Sequence, residues 1–193
     1  MPWEKQFDVE ETLSKAMETF WSRGFVATSM QDLVDTMGIN RASIYSTYGD
    51  KRTLFLQALR HYDSSYRSAL LGQVAEENTP RNAIMAVFEG AVHETLKKGD
   101  RTGCMLVNTA LELSPHDEEI AAIVAHSLEE TEGFFRAMIE RGQQAKEIPE
   151  GIDPAETARG VMNLLIALRV LSRSRPEEAT LRAVVRQAED LLG

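Results

Sequence analysis

The sequence predicts an all-α protein of about nine helices, and three observations predict it. Apolar residues recur at helical spacing nearly throughout, as in Val9, Leu13, Ala16, Met17, Phe20 and Trp21. Convincing period-two runs, the mark of half-buried strands, are missing. Helix starts are marked by a capping side chain directly before proline at Thr79-Pro80, Ser114-Pro115 and Asp153-Pro154, where the missing proline N–H costs nothing.

These signals place a first helix over residues 8–23, two short helices between 28 and 45, and a longer one from 50 to about 71. Five more follow over 79–98, 101–113, 115–146, 154–173 and 176–192. The last opens on Ser174-Arg175-Pro176-Glu177-Glu178, with carboxylates in the first turn where the helix dipole favours them. The expected division is an N-terminal domain over 1–60 and a larger helical domain over 61–193.

Composition narrows the function classes. The lone Cys104 excludes an intramolecular disulfide. The first ten residues have neither a basic start nor an apolar core, and no apolar run approaches membrane-spanning length, so a cytoplasmic protein is expected. The net charge of −9 opposes general nucleic-acid coating. Its distribution is uneven, because Arg41, Lys51, Arg52 and Arg60 are opposed only by Asp50 between residues 36 and 60. His61, His93, His116 and His126 are scattered without ligand spacing, so no metal is expected. There is no nucleophile elbow, phosphate-cradling glycine loop or carboxylate pair, and neither catalytic residues nor a cofactor are expected.

The most informative segment begins at Thr28-Ser29-Met30-Gln31, where Thr28 and Gln31 have capping-box spacing. Met30, Leu33, Val34 and Met37 then form one apolar helix face. Gly38 stops that helix, Ile39 fits the angle of a turn, and Asn40 caps the next helix. The result is a helix-turn-helix whose second helix, opening Arg41-Ala42-Ser43-Ile44-Tyr45, offers short polar and basic side chains to a major groove, with Ile44 facing inward. Asp50 caps a further helix that begins at Lys51.

From Ala27 to Phe55 the segment ATSMQDLVDTMGINRASIYSTYGDKRTLF resembles the DNA-binding signature of the TetR/AcrR family, and AMETFWSRGF before it is similar to that family's first helix and turn. The resemblance covers residues 8–59. It implies a ligand-responsive transcriptional repressor that binds a palindromic operator on double-stranded DNA as a homodimer. It also implies phosphate contacts from Thr28, Tyr45, Tyr48 and Lys51, and base-edge contacts from Arg41, Ala42 and Ser43. Thr47-Tyr48 departs from the commoner His-Phe pair, and Lys5 is the only basic residue of the N-terminal arm.

Beyond residue 61 the residues speak for themselves. Leu164, Leu168 and Leu171, followed by Leu181, Val184, Val185 and Ala188, give the last two helices wide apolar faces, expected either to pair with a second copy or to close the chain's own core. Phe88, Val92, Met105, Asn108, Phe134, Phe135 and Met138 combine apolar bulk with a polar handle, as a small-molecule effector site does; ordinary core packing fits them equally well. Cys104 lies near a helix start after Lys97, Lys98 and Arg101, surroundings that lower a thiol pKa, and it joins the candidate ligand residues. Residues 103–108, GCMLVN, resemble a segment of TetR-type regulators that sense electrophiles through cysteine. The competing reading of the chain is a small helical enzyme or lipophilic-ligand carrier with an accidental helix-turn-helix.

Overall fold

The computed structural model describes residues 7–97, 99 and 101–193, so the Lys5 arm and Lys98 lie outside the described residues. The chain folds into α1 (Val9–Arg23), α2 (Met30–Met37), α3 (Arg41–Tyr48), α4 (Lys51–Tyr62), α5 (Ala69–Glu77), α6 (Pro80–Lys97), α7 (Met105–Glu112), α8 (Glu118–Gln144), α9 (Pro154–Ser174) and α10 (Glu178–Leu191). A π-helical segment, Asp63–Ser68, joins α4 to α5 in one continuous rod over 51–77. With that rod counted once, there are nine helices among the described residues, as the sequence predicts. The rod outruns its expected end because Gly72 stays helical between Leu71 and Val74, both buried.

Caps set most boundaries. Asp8, Asn40, Asp50 and Asp153 each accept backbone N–H bonds at the starts of α1, α3, α4 and α9. Such a cap contributes about 1 kcal/mol. Two caps differ from expectation. The capping box of α2 belongs to Ser29 and Asp32, not Thr28 and Gln31. Asp32 accepts both the Ser29 N–H, at 2.8 Å, and its hydroxyl, while Gln31 turns to Asp35. Helix α8 starts at Glu118 and not at Pro115, because Asp117 accepts the Ile120 N–H at 3.1 Å.

Two apolar cores result. The first gathers Phe20, Leu33, Ile44, Leu54 and Phe55 and continues into Met105 and Leu106 of α7 and Ile120 and Val124 of α8. The N-terminal helices are therefore seated directly on the larger part of the chain. The second core is built from α5, α6, α8, α9 and α10.

The second core corrects the expected dimer face. Leu168, Leu181 and Ala188 have no exposure, and Val184 and Val185 have 7% and 5%, all within the chain's own core. Leu164 and Leu171 are only partly buried. Wide apolar faces on α9 and α10 arise because each helix packs on the other and on α6 or α8. The outward stripe of α9 is Asn163, Leu164, Ala167, Val170 and Leu171, half-exposed or exposed at helical spacing.

Candidate functional site

The α2–α3 unit is shaped by its turn. Gly38 adopts a left-handed conformation (φ 69°, ψ 21°), and its N–H closes α2 on the Val34 carbonyl at 3.1 Å. A side chain there would be strained. Asn40 then caps α3 through the Ser43 N–H at 2.8 Å. Ile44 is fully buried, which turns the opposite side of α3 outward. Arg41, Ala42, Tyr45 and Ser46 are exposed and Ser43 is half-exposed. Tyr45 is 48% exposed, high for an aromatic that only fills a core.

Two expected phosphate contacts lie elsewhere. Tyr48 is 2% exposed, and its hydroxyl donates to the Val9 carbonyl at 2.9 Å and pairs with the Thr12 hydroxyl. Burial raises its phenol pKa above the ordinary value. Thr28 is fully buried, its hydroxyl donating to the Gly24 carbonyl. Both pin α1 to the unit beside it. A tyrosine or threonine at these spacings reads the same whether its oxygen faces solvent or a backbone carbonyl.

The basic stretch also divides. Arg52 makes a bidentate contact with Asp117 (2.7 and 3.0 Å) and a further one with Glu119, and Arg60 joins Glu119 at 3.2 Å. These two arginines clasp α4 to the start of α8. Lys51 stands over the Phe25 ring, 4.3 Å from its centroid. Partial burial lowers its pKa, opposed by Glu112 and Asp32. Arg41 makes no ion pair among the described residues and remains available at the N-terminal end of α3.

A cavity beside α7 is a second candidate site. A partly open cavity of about 50 Å³ sits where the π-helical segment meets α7, α8 and α9. A π turn alters the facing of successive side chains, and such turns recur at functional sites. Here Tyr62 and Tyr66, whose rings stack 5.2 Å apart, and Arg67 line the cavity. Of the expected ligand residues only Cys104 lines it. Phe88 and Phe135 are fully buried with centroids 6.4 Å apart, Val92, Met105 and Met138 are core residues, and Phe134 packs edge-on to Phe135. The Asn108 amide donates to the Thr102 carbonyl. These corrections share one cause: a helix face that fills a core and one that lines a cavity have the same periodicity.

Cys104 sits at the N-terminal cap of α7 and accepts the Tyr62 hydroxyl at 3.5 Å. Burial holds Tyr62 protonated, well above the ordinary phenol value, which keeps it a donor to sulfur. Lys97 and Arg101 are exposed, and the cation that shares the cavity wall with Cys104 is Arg169, paired with Glu94 at 3.0 Å. The lone Arg169 in the apolar run Leu164–Leu171 is the sequence signal that marks this cavity.

The two sites are joined by α7. Its first turns carry Cys104, Leu106 and Val107 on the cavity wall. Its last residue, Glu112, accepts the backbone N–H groups of Phe25 (3.1 Å) and Val26 (2.8 Å) in the turn between α1 and α2. Gly24 adopts φ 85°, where any side chain is strained, and a Cβ there would lie 2.8 Å from the Glu112 carboxylate and push it aside. The Trp21 indole N–H donates to the Gly103 carbonyl at 3.2 Å, just before α7.

This architecture has known counterparts. Residues 13–58 match the model for bacterial regulatory proteins of the tetR family, and residues 80–188 match the tetracyclin repressor-like C-terminal domain. The chain is 29% identical over 170 residues to the uncharacterized HTH-type transcriptional regulator YezE of Bacillus subtilis, covering 88% of each. It is 28% identical over 170 residues to the HTH-type transcriptional repressor ComR of Escherichia coli, covering 88% of this chain and 81% of ComR. Among solved structures, a cysteine-substituted form of the TetR family regulator CifR, complexed with 26-bp double-strand operator DNA, superimposes with a TM-score of 0.85 at 25% identity, covering 98% of this chain and 99% of CifR. The enzyme reading is set aside on these matches. With a family match over each of its two parts and helix-turn-helix geometry in the first, the chain belongs to the TetR family of transcriptional regulators.

Proposed function

We propose that this regulator is a dimeric repressor that binds a palindromic operator and leaves it when a small molecule occupies the cavity behind α7. The observation that carries the reading is the free outer side of α3, with Arg41, Ala42, Ser43 and Tyr45 displayed around a buried Ile44. In this reading Arg41, Ala42 and Ser43 meet base edges, while Tyr45, Lys51 and the α3 N-terminus capped by Asn40 hold phosphates. The CifR complex with operator DNA and the repressor name of ComR support it.

Dimerisation uses the outward stripe of α9, centred on Leu164, Ala167 and Leu171. A two-fold pair so formed sets two recognition helices about 34–36 Å apart or somewhat more, as a palindrome requires. Release follows from α7. An occupant that displaces Cys104 and Val107 also moves Glu112, and with it the 24–26 turn on which Lys51 stands. Coupling is reciprocal, so an inducer binds the free dimer more tightly than the DNA-bound one by the factor with which it weakens DNA binding.

A finer reading makes Cys104 the sensor. Its thiol adds across the activated double bond of a quinone or unsaturated aldehyde: an S–C bond forms, the thiol proton ends on the neighbouring carbon or oxygen, and no oxidant is consumed. The Tyr62 hydroxyl, a donor to the sulfur at 3.5 Å, fixes the direction of the thiol on the cavity wall. Operator binding is tested by mobility shift on the DNA upstream of the regulator's own gene. A retarded complex that random competitor does not remove is expected, and absence of any such complex would contradict the reading.

A further inference from the structure

We propose that the effector is a compact, uncharged molecule recognised by shape and apolar contact, with ions of either sign rejected. This rests on the reading of the cavity behind α7 as the effector site.

The carrying observation is that both cations of the wall arrive already neutralised. Arg169 pairs with one oxygen of Glu94 at 3.0 Å, and the other oxygen accepts the Tyr66 hydroxyl at 2.7 Å. Arg67 is held by Asp63 and Glu130 and donates to the Thr131 hydroxyl at 3.2 Å. Tyr62 and Cys104 bond to each other. The remaining wall is aliphatic, including Leu70, Val87, Leu128, Met162 and Leu165. An incoming carboxylate must displace Glu94 or lie beside it where water cannot screen the repulsion, and an ammonium group loses its hydration against a wall that presents Arg67 and Arg169 but none of their carboxylates. An uncharged guest leaves the network whole. The volume of about 50 Å³ favours a small guest.

The test uses three compact probes of matched size: propan-2-ol, acetate and isopropylammonium. Trp21 lies 5.0 Å from the Tyr62 ring and 4.9 Å from the Tyr66 ring, so its emission reports occupancy. Trp3→Phe leaves Trp21 the sole tryptophan. In that protein propan-2-ol is expected to change the emission saturably, with both ions at least about tenfold weaker. Equal or tighter binding of either ion overturns the charge inference and leaves the cavity an effector site. No response to any of the three overturns the effector-site reading as well.

A variant sharpens the assignment. Glu94→Gln unmasks Arg169 and is expected to raise acetate affinity relative to propan-2-ol at least about tenfold. The double variant Glu94→Gln with Arg169→Met is expected to keep the preference for propan-2-ol. Unchanged acetate affinity in a folded Glu94→Gln protein, or a gain that persists in the double variant, overturns the role given to the pair.

Discussion

The carboxylate of Glu112, at the end of α7, holds the backbone N–H of Val26 at 2.8 Å across 86 residues of sequence. The same carboxylate holds the Phe25 N–H, and Phe25 carries Lys51 on its ring. One side chain therefore connects the wall of the cavity to the helix-turn-helix. Glu112→Ala is expected to cost about 1–3 kcal/mol of stability, because two amides lose an ionised acceptor. It should also reduce the factor by which an inducer weakens operator binding, with inducer affinity for the free protein little changed. Both affinities are measured by calorimetry and anisotropy, and an undiminished factor would remove Glu112 from the coupling route.

Lys51→Ala should weaken binding to every DNA sequence alike and lower the slope of log affinity against log salt by about one unit. Arg41→Ala should instead cost about 1–3 kcal/mol on the operator and relax preference at one base position. A salt titration separates the two, since a phosphate contact changes the slope and a base contact changes the ranking of sequences.

Cys104→Ser should retain operator binding and lose release by a reactive quinone or aldehyde. A mobility-shift titration checks it. Release of the variant at the wild-type dose would dismiss the thiol as sensor.

Acid stability should follow Asp32. Hydrogen bonds from the Ser29 hydroxyl and N–H, with a smaller effect of Arg23, lower its pKa from 3.8 to about 2. A carboxyl depressed in the folded state contributes stability that is full above its unfolded value and lost as pH falls toward the folded one. The decline belongs between 3.8 and about 2, where Asp117, lowered similarly by Arg52, adds to it. Melting temperatures of Asp32→Asn across that range should fall less steeply than those of the wild type, and parallel curves would contradict the assignment.

The helix-turn-helix was legible because its signals are local. Gly38, Asn40, Ile44 and Asp50 act within four residues of themselves, and each does in the structure what its spacing implies. Of the cavity, only Cys104 and the lone Arg169 were legible. Its wall joins residues as distant as Tyr62 and Arg169, and the π turn that aims Tyr62, Tyr66 and Arg67 has no sequence signature. Phe88 and Phe135 looked like cavity residues because bulk and periodicity do not distinguish a filled space from an empty one. Leu168 and Leu181 looked like interface residues for the same reason, and Tyr48 like a phosphate ligand because its hydroxyl finds Val9 only after the chain has folded.

The central claim is that the outer side of α3 reads DNA, and the most direct measurement is fluorescence anisotropy on a labelled duplex from upstream of the gene, titrated with the effector-free dimer against a scrambled duplex of equal length. The account predicts a preference for the native duplex of at least about a thousandfold, reduced about 5- to 150-fold by Arg41→Ala. Equal affinity for the two duplexes at moderate salt would contradict it.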